Sequence, residues 1–359
     1  MNLYKHALGR VVPIDQNAVE KALARQLTLT KPPGSLGDLE EVANRLCGIT
    51  GSCPAPIPDN PHICVFAGDH GVHEEKVTPW PQEVTAQMVA NFLAGGAAVN
   101  VIARQVGARV SVIDVGVKAE LDPAPGLIIS KVKAGTNNLR IGSAMSNFEA
   151  RESLDRGVEV AEMLHEAGYN LFVTGDMGIA NTTPSAAIIS YLSGLDPEVI
   201  TGRGTGVDDA TLAIKISVIK DAISRVNAIG NLKDNPIELL AQLGGLEIGA
   251  ICGFIISAAS LKVPVIVDGV ISLAGALLAN AISPVVSEYV FAGHLSVEPG
   301  AKVALEMLGK RPLLSLDMRL GEGSGGALAI PIVQTAARLL GEMASFEEAG
   351  VQEAGAKDA

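Results

Sequence analysis

Four segments of this chain carry residues whose types and spacing could do chemistry. In MRLGEGSGGALA (318–329), Glu322 stands alone between glycines. Glycines let a backbone approach a ligand closely, so a carboxylate there could act as a general base. It could equally cap the following helix, where the positive end of the dipole favours it, and spacing leaves both readings open. In TGDMGIANTTPSAA (174–187), Asp176 leaves a strand and Gly178, Asn181 and Thr182 open a helix, whose exposed N–H groups form an anion site. Helix capping by Asn181, Thr182 and Thr183 is the competing reading.

A third segment, TGRGTGVDDATLAIK (201–215), is a glycine-rich turn with Lys215 further along the following helix; it matches neither a Walker A loop nor GxGxxG, and loop flexibility competes with phosphate binding. The fourth, AGDHGVHEEKVTPWPQEVTAQM (67–88), gathers Asp69, His70, His73, Glu74 and the only tryptophan, Trp80. These residues lack the i, i+4 pairing of a helical zinc site, so hydrogen bonds that stabilise the loop are expected rather than a metal. Trp80 and Met88 could line an aromatic pocket or pack the loop onto the core.

The elements that must position these residues show in the aliphatic runs. ICVFAG, VSVIDVG, LFVTG, VPVIVDG, YVFAG and LLSLDMRLG each end near glycine (68, 116, 175, 269, 293, 321) and precede a stretch of helix length. Six such units predict an α/β fold with a doubly wound parallel sheet, its ligand crevice at the carboxyl ends of the strands. Nearly half of the 359 residues are hydrophobic but only 3% aromatic, so small and aliphatic side chains must fill the core. Residues before about 60 read as helical. The windows 248–261 and 269–287 read as buried helices, too short or too interrupted to span a bilayer. Residues 347–359 read as a polar tail.

A net charge of −12 disfavours nucleic acid, which requires a basic face, and an anionic substrate would need a local pocket. Cysteines 47, 53, 64 and 252 show no metal or redox spacing and read as reduced thiols. With no apolar leader at the N-terminus, a cytoplasmic, non-membrane protein is expected.

Taken together, KPPGSLG (31–37), AGDHGV (67–72), NFLAGGAAVNVIARQ (91–105), GTNNLRIGSAMS (135–146), GDMGIANTT (175–183), GGLEIGAICG (244–253), VPVIVDG (263–269) and RLGEGSGGALA (319–329) resemble the nicotinate-nucleotide:dimethylbenzimidazole phosphoribosyltransferase family of cobalamin assembly. The resemblance covers almost the whole chain. It implies a Rossmann-like sheet of about six strands (residues 59–330) and a small helical domain built from both chain ends (1–58 and 331–359). A homodimer, or a heterodimer with a similar subunit, is implied as well. It further implies phosphoribosyl transfer from nicotinate mononucleotide to an aromatic base, without a cofactor or metal, with Glu322 as catalytic base. Gly175, Asp176, Gly178, Asn181, Thr182, Gly204, Thr205, Gly206, Lys215, His294 and Ser296 would hold the nucleotide, and Trp80, Met88, Leu320 and Gly321 would flank the acceptor.

Many relatives carry glutamate where this chain has Asp176, which bears on acceptor choice and leaves a phenolic acceptor open beside dimethylbenzimidazole. A non-catalytic nucleotide-binding partner subunit is the alternative reading, with Glu322 as the feature that argues against it. A dinucleotide oxidoreductase is disfavoured because no GxGxxG follows the first strand.

Overall fold

The computed structural model describes residues 2–352. Its centre is one seven-stranded, wholly parallel sheet: β1 (Pro61–Gly68), β2 (Arg109–Gly116), β3 (Leu127–Ile129), β4 (Leu171–Met177), β5 (Val265–Val267), β6 (Val290–His294) and β7 (Pro312–Leu314). The spatial order is β3-β2-β1-β4-β5-β6-β7. Strand order reverses between β1 and β4, and at such a switch point the loops leaving two adjacent strands diverge and open a crevice. β1 and β4 are buried along their whole length, which is why they read as unbroken aliphatic runs.

The sheet has seven strands rather than six. The additional one, β3, is a half-exposed edge strand of three residues following LDPAPG, too short to leave a periodic signal. The last run, expected to continue to Gly321, stops at Leu314. It too is an edge strand, paired only with β6, and Asp317 soon turns left-handed at φ 52°. Residues 315–323 therefore form an irregular connection, and Glu322 lies well beyond the strand end.

The two apolar windows are the buried helices Leu246–Ser260 and Val270–Ile282. The first packs against Asn147–Glu166 at very close range, since a Cβ at Gly157 or Gly253 would collide with the backbone of Ala250 or Leu154 respectively. Small residues thus do here what aromatic side chains do in other cores. The apolar stretch Val84–Val106 is broken near Gly95, at φ 77°, into helices Val84–Leu93 and Ala98–Val106. Neither approaches the roughly 20 residues that cross a bilayer.

At the other end of the molecule, helices Gln16–Thr28 and Asp38–Thr50 pack together and against Ser324–Glu342. Thr30 N–H also donates to the Ala344 carbonyl (3.1 Å), joining the two chain ends. Ser324–Glu342 is continuous through Pro331, so the expected boundary at 330/331 falls inside one helix whose first turn belongs to the crevice. Of the expected polar tail, Phe346–Ala349 forms a helical turn closed by a Ser345–Glu348 capping box, and 353–359 lie outside the described residues.

Candidate active site

The crevice forms where the loop before Ser324–Glu342 folds down onto the end of β4. Gly175 permits this. A Cβ there would lie 2.7 Å from the carbonyl carbon and oxygen of Glu322 and from the nitrogen of Gly323. We therefore expect Gly175→Ala to cost about 1–3 kcal/mol of stability through overpacking and to displace the loop. Thermal unfolding with parallel turnover checks this: turnover falling further than the folded fraction is the expected result, and unchanged stability contradicts it.

Glu322 occupies the middle of three successive left-handed residues, with φ of 78°, 64° and 83° at Gly321, Glu322 and Gly323. For a residue with a Cβ that conformation costs roughly 1–2 kcal/mol, strain of the kind that concentrates at functional sites. The side chain is buried and makes no hydrogen bond with the described residues. Capping does not explain it: Gly323 occupies the N-cap position, and the Asp268 carboxylate accepts the N–H groups of Gly323 (3.1 Å) and Gly326 (2.8 Å) instead. Burial, and secondarily the Asp268 charge, raise the Glu322 carboxyl to about 7.

Beneath it, Asp176 is buried, with Oδ2 accepting from Asn181 Nδ2 (2.8 Å) and Oδ1 without a partner. Burial first, then the nearby carboxylate of Asp268, push Asp176 well above the ordinary carboxylate range, with Asn181 opposing. Gly321 lies against this carboxyl, and a Cβ there would approach Oδ1 to 3.2 Å. Asn181 occupies the N-cap position, but neither its side chain nor that of Thr182 caps the helix. Asn181 makes no capping bond at the head of helix Thr182–Ser193, and Thr182 Oγ1 accepts from Lys215 Nζ (2.8 Å). Gly178 is packed on the Gly68 carbonyl and His70, closing β4 onto β1.

Lys215 reaches up from helix Asp209–Asn227, buried, and also donates to the Gly202 carbonyl (3.0 Å). Burial pulls its ammonium down to about 8, with Glu298 partly opposing. Glu298 in turn accepts from Gly204 N–H (2.7 Å), and Arg319 donates to the Gly204 carbonyl (3.2 Å), tying the glycine turn to the Glu322 loop. Trp80 closes the other side: Nε1 donates to Thr205 Oγ1 (3.0 Å) across a cleft of about 60 Å³ lined by Gly178, Asn181, Thr182 and Lys215. Gly206, at φ 106°, turns the chain there. His294 and Ser296 are buried at the end of β6, His294 Nε2 3.4 Å from Asp268 Oδ1.

Two expected acceptor contacts are not in the cleft wall. Leu320 is 53% exposed outside it. Met88 is half-buried on helix Val84–Leu93, one turn beyond Thr85, whose hydroxyl accepts from Ile179 N–H (3.1 Å). The larger hollow of about 760 Å³ near Tyr191 and Lys233 contains none of these groups.

Sequence reasoning missed Asp268, Glu298 and the buried pair of His70 with Glu247, whose Nε2 and Oε1 lie 3.0 Å apart. Burial opposes charge on His70, but Glu247 and, more weakly, Asp69 raise its pKa on balance. His70 thus ties this loop to the head of helix Leu246–Ser260, and His73 Nε2 on the Trp80 carbonyl (2.9 Å) holds the loop to itself. The only local hints were a strand ending in Asp-Gly and a lone carboxylate heading an apolar helix.

Residues 11–351 match a family model described as Phosphoribosyltransferase. The chain is 48% identical over 363 residues (97% of this chain, 99% of the relative) to the nicotinate-nucleotide–dimethylbenzimidazole phosphoribosyltransferase of Salinispora tropica. It is 49% identical over 355 residues (98% and 99%) to the protein of that name from Geobacter sulfurreducens. The crystal structure of the Thermus thermophilus phosphoribosyltransferase of the same name superposes with a TM-score of 0.90 at 44% identity, covering 95% of this chain and all of that one. The chain belongs to the nicotinate-nucleotide–dimethylbenzimidazole phosphoribosyltransferase family.

Proposed function

We propose that this protein transfers the phosphoribosyl group of nicotinate mononucleotide to dimethylbenzimidazole, giving an α-riboside 5′-phosphate and nicotinate for cobamide biosynthesis. One observation carries the mechanism: a buried carboxyl with no hydrogen bond, held in a left-handed loop and raised to about 7. As one ring nitrogen of the acceptor attacks C1′, the other gives its proton to Glu322. The C1′–N bond to nicotinate breaks on the opposite face, and its electron pair neutralises the pyridinium, so the leaving group needs no acid. Inversion from β to α follows. Orientation and stabilisation of the developing ribosyl cation supply most of the remaining acceleration.

Lys215, Thr182 and the Gly204–Gly206 turn form the nucleotide's anion site, at the start of helix Thr182–Ser193. His294 and Ser296 flank the ribose from β6. Trp80 roofs the acceptor, with Met88 and Leu320 reached only on rearrangement. The 60 Å³ cleft is far below the roughly 300 Å³ of small-ligand pockets, so the Trp80–Thr205 bridge must part on nucleotide entry. The protein acts in the cytoplasm, where its four unpaired cysteines stay reduced. Its working form is an assembly of two similar chains. The relatives' names specify dimethylbenzimidazole; a phenolic acceptor and a non-catalytic partner role gain no support from them.

The test is nicotinate release from nicotinate mononucleotide by the purified chain, with dimethylbenzimidazole, phenol and adenine as separate acceptors. Release that depends on dimethylbenzimidazole is expected, and no release with any acceptor overturns the proposal.

A further inference from the structure

The geometry points to Asp268 as the positioning residue of this site, the group that fixes the left-handed loop and so aims Glu322; the inference rests on Glu322 being the base. Asp268 directly follows β5 and is buried. Both of its oxygens are committed to the opposite side of the crevice: Oδ2 to Gly323 N–H (3.1 Å) and Oδ1 to Gly326 N–H (2.8 Å). These donors open helix Ser324–Glu342 and have no partner within it. Gly323, having no side chain, cannot supply an N-cap acceptor, and a neighbouring strand supplies it instead. Ser324 Oγ, donating to the Gly321 carbonyl (2.7 Å), closes the other side of the turn.

Glu322 itself contributes nothing to its own placement. Its backbone rests on Gly175, and the residue after it is clamped by Asp268. Two converging N–H donors require a group that only accepts. Aspartate meets that requirement, whereas asparagine would turn an NH2 towards one of them.

The same carboxylate has an electrostatic consequence. The charged or titratable groups around Glu322 are Asp268 after β5, Asp176 in β4, His294 at the end of β6 beside Asp268, and Arg319 in its own loop, engaged with the Gly204 carbonyl. Burial first, and then the Asp268 charge, push Asp176 well above the ordinary carboxylate range, and Asp268 is the charge that opposes ionisation of Glu322. Removing that charge makes Glu322 a weaker base. One residue thereby sets both the direction and the strength of the base.

The experiment is Asp268→Asn in the full-length chain, read by kcat, by KM for nicotinate mononucleotide and by the pH profile of kcat/KM. Misalignment predicts a fall in kcat of about a hundredfold with KM nearly unchanged. Loss of the charge predicts that the acid limb moves down by about one pH unit. Asp268→Asn placed on Glu322→Gln should cost no further activity, because the group it positions is already gone. A purely structural role would lower the folded fraction without moving the limb, and that result overturns the inference. So does a full additional loss in the double variant. Should Asp268→Asn not fold, Asp268→Ser with added formate serves, recovery of kcat on formate being expected and none being contrary. If Glu322→Gln alone retains turnover, the reading of Glu322 as base fails; if that variant is inactive but Asp268→Asn leaves kcat and the limb unmoved, only the role of Asp268 fails.

Discussion

Glu322→Gln is expected to lower kcat by about 10²- to 10⁴-fold, the range by which a positioned general base contributes, while KM for nicotinate mononucleotide stays nearly constant. Glutamine has almost the same shape, and the carboxylate it replaces bonds to none of the described residues, so the loop and the nucleotide site have no reason to move. What disappears is the acceptor for the base's proton. Because the parent group is raised to about 7 by burial and by Asp268, its active, ionised form accumulates only as pH rises through that value. The parent kcat/KM should therefore climb as pH rises through about 7, and that climb should vanish in the variant. Nicotinate release followed across pH measures both, and undiminished turnover would remove the mechanism.

Stability responds in the opposite sense. A carboxyl that titrates at about 7 in the folded chain and near 4.5 in the unfolded one keeps its proton longer when folded. Between those two values the unfolded state binds fewer protons, so stability falls as pH rises, by about 3 kcal/mol once pH exceeds 7. Glu322→Gln removes that loss. Chemical denaturation should show the variant little changed near pH 4 and more stable than the parent at pH 8, a gain in stability at the expense of activity.

How far this site could be read in advance follows from the physics of parallel sheets. Strands buried on both faces, as β1 and β4 are, must be aliphatic throughout, so the polar residue that ends each run stands out. Asp176 and the GDHG loop are legible for that reason. Edge strands carry no such constraint, and this explains both the unseen β3 and the early end of β7. Partnerships across the crevice are hidden for a different reason. Asp268 and Gly323 are 55 positions apart, and no local pattern records which carboxylate meets which N–H. Glu247 shows the general rule: a fully buried carboxylate must have a partner, but only the fold reveals that it is His70. Glu322 itself was ambiguous until the structure gave its capping role to Asp268.

Lys215→Met is expected to raise KM for nicotinate mononucleotide about a hundredfold, since in the proposed nucleotide site a buried cation paired with a phosphate is worth several kcal/mol when it is truncated. Its Nζ is held by Thr182 Oγ1 and the Gly202 carbonyl, which leaves one N–H for the nucleotide and prevents the ammonium from turning away. The same burial that makes the charge valuable makes it fragile. At about 8, well below the ordinary lysine value, the proton leaves as pH rises, and with it the attraction for phosphate. The parent kcat/KM should accordingly fall above about 8, so that, joined to the rise through about 7 from Glu322, it forms a narrow bell with its maximum between the two. Each limb then belongs to one residue: Lys215→Met should keep the rise and lose the fall, and Glu322→Gln the reverse. A bell unaltered in the lysine variant would assign the alkaline limb, and the phosphate contact, to another group.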